Sequence, residues 1–163
     1  MDNFLNFSLL IVLGLASLLA FFAALILLLP GPITKTRLEL EANTLRATLL
    51  GLVNFIFFGM LVVLSVWLAQ LVGGAFAAVF ILLGGLILLA LAALSLIGVV
   101  ALAQMLGSRM GKETTPFITI LRGGGLLLMA ALAPYIGWFL FTPLAFWAGL
   151  GAAIKALVQR KGT

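Results

Sequence analysis

Proton transfer, metal binding and nucleophilic attack each need side chains that hold a proton or a charge, and this sequence is short of them. It has no His and no Cys, and its four acids are Asp2, Glu39, Glu41 and Glu113. Without imidazole or thiolate there is no Cys–His pair, no His or Cys metal site and no His-ligated haem or chlorophyll. The acids fall at a terminus or in polar stretches, so apolar spans built from the rest contain no carboxylate relay. Gly123-Gly124-Gly125 lacks the lysine–hydroxyl pair and the preceding strand of a phosphate-binding loop. No catalytic residue and no bound metal are expected, and the chain is read as a non-enzyme.

The remaining polar groups are few. Asn54 lies inside an apolar run, where an amide glues one helix to another more often than it holds a ligand. Ser65, Ser95 and Thr142 are expected to bond back to carbonyls of their own helices. Arg122 follows Pro116 closely and reads as a snorkelling interface residue, or as a contact for a lipid headgroup or a partner's carboxylate. Arg109, Lys112 and Lys155 are headgroup candidates of the same kind. Small residues form stripes: Gly51 and Gly59 in one segment, and Ala145, Gly149 and Ala153 in another. Such stripes let helix backbones approach closely in lipid, within one chain or between subunits.

Those residues must be carried by elements suited to an unusual solvent. Of 163 residues, 65% are hydrophobic and 8% charged, against roughly a quarter charged in a soluble domain. A water-exposed surface cannot be made from so little charge, so the fold class expected is an all-α integral membrane protein with four to five transmembrane helices. The net charge of +5 is carried by few residues beside apolar runs. It fits membrane orientation rather than nucleic acid.

A hydrocarbon core of about 30 Å takes roughly 20 helical residues. The runs that meet or approach this are 5–29, 45–71, 76–106, a short or re-entrant 117–133, and 138–158. The first begins with Asp2 and ends at Pro30-Gly31-Pro32 without a small-residue cleavage pattern, so a retained span is expected rather than a cleaved signal. Between the first two spans, the mixed-charge stretch 30–46 suits an interfacial helix, with Asn43-Thr44 as N-cap for the next span. Val72-Gly73-Gly74-Ala75 makes a tight turn, which forces an antiparallel hairpin.

Pro134 and Gly137 break the last segment. It then crosses once with a break, turns back as a hairpin, or makes two short spans. The basic residues favour the return: only then do Lys35, Arg37, Arg46, Arg109, Lys112, Arg122, Lys155, Arg160 and Lys161 share a face. By the positive-inside rule that face is cytoplasmic, and the N-terminus is outside.

Pro134-Tyr135-Ile136-Gly137-Trp138, followed by Gly149-Leu150-Gly151-Ala152, resembles the multi-helix membrane region that accompanies bactofilin-like polymer-forming domains in some prokaryotic proteins. The likeness covers most of the chain, but the β-solenoid polymerising part is absent. The resemblance implies an anchoring or scaffolding module in a prokaryotic inner membrane, with no catalytic residues. The expected function is a non-enzymatic accessory or scaffold subunit that packs against membrane lipids and other membrane subunits. The alternatives are a small channel or carrier, or a pigment- or quinone-associated subunit of an energy-converting complex. No cofactor is predicted, although the Phe-rich spans could touch lipid, carotenoid or quinone.

Overall fold

The computed structural model describes residues 2–111 and 115–158, residues 2–5 by backbone alone. All its regular structure is helical: α1 (Asp2–Leu28), α2 (Pro30–Val72), α3 (Gly74–Arg109), α4 (Pro116–Leu132) and α5 (Thr142–Val158). In lipid every backbone N–H and C=O must be satisfied within the chain, which an uninterrupted helix does. Four helices among the described residues are long and apolar enough to cross a membrane, and α4 is a shorter apolar one. The chain is an all-α, multi-pass membrane protein.

Each break has a local cause. Leu29 leaves helical geometry at φ −128, ψ 51, as the residue before a proline tends to. Pro30 and Pro32 then open α2, and prolines suit a first turn because their missing N–H has no partner there. α2 is really two segments joined at Asn43, whose extended φ of −162 interrupts the helix. The Arg46 N–H donates to Asn43 Oδ1 at 3.0 Å, so Asn43 caps the apolar segment, as its residue type foretold. At the far end Gly73 and Gly74 both have positive φ, 65 and 60. That turn is open to glycine and strained for other residues.

The turn between α4 and α5 is longer, with residues 133–136 lying between α4 and the next helical element. Tyr135 takes φ +63, and Gly137–Phe141 form a single π turn leading into α5. The Ile136 N–H donates to the Pro134 carbonyl at 2.8 Å, and the Gly137 N–H to the Ala133 carbonyl at 2.9 Å. The Gly137 carbonyl accepts the Thr142 N–H and also the Thr142 hydroxyl, the latter at 2.7 Å. A turn with its backbone bonded in this way tolerates lipid around it.

Close contacts fix how the helices run. Gly51 meets the carbonyl of Trp147, while Gly151 meets that of Ala47, so α2 and α5 are antiparallel. Gly107 meets Thr119 and Gly123 meets Ala103, so α3 and α4 are antiparallel as well. The last segment therefore turns back, and α5 ends beside the polar half of α2. Extending both registers at 1.5 Å per residue sets Gly137 level with Leu61 and Leu89. The α4–α5 hairpin thus stops about 20 Å short of the α2–α3 turn. It is a return loop wedged against a longer hairpin.

The stretch 30–46 is helical from Pro30, as expected, with Ile33, Thr36 and Leu40 fully buried against the bundle and Leu38 exposed. α3 starts at Gly74 and runs to Arg109, past both expected limits of 76–106. The core joins α2, α3, α4 and α5, and α1 adds buried Phe22 with Ala23, Leu25 and Ile26 packed half-buried beside it.

Candidate functional site

Two features stand out from the packing: a set of glycine crossings through the middle of the bundle, and a polar cluster at one end. The crossings come from small residues four apart on facing helices. A Cβ added at Gly51 would overlap the Trp147 carbonyl, and one at Gly151 would overlap that of Ala47. Gly98 and Gly149 press backbone against backbone between α3 and α5, and Gly107 and Gly123 do so between α3 and α4. Such approach maximises dispersion contact where lipid supplies no hydrophobic drive between helices. α5 lies at the centre, and every residue from Ala148 through Ala153 is buried.

At the other site, the polar half of α2 crosses the ends of α3 and α5. Arg37 Nε donates to Glu41 Oε1 at 2.7 Å, and its Nη2 to the Ser108 hydroxyl at 3.1 Å. That hydroxyl donates in turn to the Met105 carbonyl at 2.8 Å. Lys155 Nζ pairs with Glu39 Oε2, the lysine side chain 35% exposed and the glutamate 14%. These bonds tie α2, α3 and α5 at one end and fix the tilt of the polar segment. Beside them a cleft of about 210 Å³ opens between the start of α2, α3 and α5, with Lys35 on its lining.

The residues singled out from sequence distribute unevenly over these features. Gly51 and Gly149 are buried at crossings, Ala153 is buried on the wall of the cleft, and Ala145 packs half-buried on the core. Gly59 has nothing within 4 Å of where a Cβ would stand. Asn54 donates to the carbonyl of Leu50 in its own helix at 2.8 Å, rather than to a neighbouring helix. Ser65 and Thr142 bond back to carbonyls at 2.8 and 2.7 Å. Ser95 does not: it is buried and its hydroxyl has no partner. Pro134 is exposed at the hairpin tip, whereas Gly137 is buried against the carbonyls of Ala130 and Ala131. Arg109 and Arg122 are exposed. Lys155, one of the headgroup candidates, is paired with Glu39 and stays partly exposed. Lys112 lies outside the described residues.

The sequence reading missed Gly98, Gly107, Gly123, Gly151 and the Glu39–Lys155 pair. The glycines carried a signal, since Ala47–Gly51, Ala103–Gly107 and Thr119–Gly123 each place small residues four apart. The ion pair carried none, because its partners are far apart in sequence. No family model, no curated protein and no solved structure matches this chain.

Proposed function

We propose that the chain is a non-enzymatic accessory or scaffold subunit of a larger complex in a prokaryotic inner membrane. The observation that carries this is the contrast in cover. The apolar stretches of α3 and of Gly137–Val158 are 39% buried, against 6% for α1 and 11% for α2, and most large side chains of α1 face outward. An outer helix so loosely held offers its surface to lipid or to the helices of a partner. The Glu39–Lys155 pair ties α2 to α5. The test is native mass spectrometry after extraction in mild detergent. A fixed stoichiometry with other membrane chains supports the role, and a lone chain in every detergent tried removes it.

The orientation follows the positive-inside rule, with the end bearing Arg37, Arg109 and Lys155 on the cytoplasmic side and Asp2 outside. The chain has no Cys, so introduced thiols report side directly. Arg109→Cys should react with an impermeant maleimide from the cytoplasmic face, and Ala75→Cys, exposed beside the α2–α3 turn, from the other. The reverse pattern inverts the assignment.

A second reading, as a channel or carrier, draws on the break at Pro134–Gly137. The carbonyls of Ala133, Pro134, Tyr135 and Gly137 already accept hydrogen bonds there, which leaves little unwound backbone to coordinate an ion. Selective flux from purified protein in liposomes would favour this reading over the scaffold.

A further inference from the structure

The cleft beside the polar half of α2 has a makeup that neither packing nor the ion pairs use. Leu94 and Ile97 of α3 and Ala153, Ala156 and Leu157 of α5 form its apolar walls, and Lys35 is its charged member. The other polar groups nearby are engaged. The Thr36 hydroxyl donates to the Pro32 carbonyl at 2.8 Å, Glu39 holds Lys155, and Glu41 holds Arg37. Lys35 is exposed, and among the described residues no carboxylate neutralises it. The arrangement is therefore one free ammonium beside an apolar slot, at the polar end of a membrane bundle.

Size narrows what fits. Pockets for drug-sized ligands run to about 300–1,000 Å³, more than the 210 Å³ of this cleft. At about 30 Å³ per water-sized group there is room for roughly seven such groups in a row, which is part of one hydrocarbon chain. A free anion would gain nothing from the walls, and a neutral lipid nothing from the lysine. We propose that the cleft binds one anionic phospholipid of the adjacent leaflet. Its phosphate sits on the Lys35 ammonium, and one acyl chain lies against Leu94, Ile97 and Leu157. The site does not depend on the scaffold role, because a solitary chain would carry it too.

Native mass spectrometry tests this on the full chain, released from micelles holding equal dioleoylphosphatidylglycerol and dioleoylphosphatidylcholine. The wild type retains a single phosphatidylglycerol in preference to phosphatidylcholine. Lys35→Gln lowers that preference about fivefold, the weight of one lysine at an anionic surface, and Lys35→Arg keeps it. Leu157→Ser weakens retention of both lipids alike. Arg46→Gln, which removes an exposed charge away from the cleft, leaves the preference unchanged. The proposal fails if Lys35→Gln binds as the wild type does, or if Arg46→Gln lowers the preference equally. It also fails if Leu157→Ser leaves retention intact, or if excess inorganic phosphate alone displaces the lipid. Circular dichroism checks that each variant stays helical; Lys35 and Leu157 are exposed, so neither substitution disturbs the core.

Discussion

α1 and the run Gly137–Val158, the π turn plus α5, are both apolar, helical and long enough to cross a bilayer, yet they occupy opposite positions in the fold. α1 is nearly bare, with Phe7, Leu9, Leu10, Val12 and Leu13 each more than 60% exposed. α5 is wrapped on all sides over Ala148–Ala153. Hydrophobicity does not separate them, because lipid solvates leucine as well as a neighbouring helix does. What differs is side-chain size. The middle of α5 is glycine, alanine and one leucine, so α2 and α3 reach its backbone. α1 is Leu-rich and approaches α4 through Leu19 and Phe22 at Gly124. Between these two helices, small residues mark the one whose backbone is reached and large ones the one left at the rim.

The comparison breaks most sharply at the crossings. Gly51→Leu drives a side chain into the Trp147 backbone, which cannot yield as a flexible side chain would. A loss of about 3 kcal/mol or more is expected, beyond ordinary overpacking, and is read as a fall in thermal stability in detergent. If Gly51→Leu kept wild-type stability, the crossing would not hold the fold.

A smaller effect is expected at the polar end. Lys155→Met leaves the Glu39 carboxylate without its cation and should cost about 1 kcal/mol, since a partly exposed pair is worth less than a buried one. Glu39→Gln added to Lys155→Met should recover part of that loss, and a double-mutant cycle measures the coupling. Additive losses would show that the pair holds nothing.

The smallest effect belongs to α1. Gly14 has open space around it, so Gly14→Leu should change stability by less than about 0.5 kcal/mol. The same substitution is then severe at Gly51 and silent at Gly14, a direct measure of how differently the two regions are packed. If Gly14→Leu instead weakened association with a partner, α1 would be the docking face.

How much was legible in advance follows the same division. The α2–α3 hairpin could be read from Gly73-Gly74, because a turn that short leaves no other geometry. The Asn43 cap was legible too, since its bond reaches only three residues along the chain. The return of the last segment was readable from charge. Asn54 and Ser95 were misjudged because hydrogen bonding depends on which rotamer the neighbouring helix allows. Asn54 finds its own Leu50 carbonyl, and Ser95 finds no partner at all.

The sequence by itself determined the solvent, the helices and their breaks, because burial in lipid and backbone satisfaction are properties of composition and local order. It also determined that charge would gather at one end. Only the tertiary structure decided which of the 18 glycines meet another backbone, because that depends on the register between helices distant in sequence. The tertiary structure also decided that Glu39 takes Lys155, that the α4–α5 hairpin stops short, and that Lys35 is left beside an open cleft. Each of these is a matter of where separate helices come to rest against one another, and no local pattern encodes it.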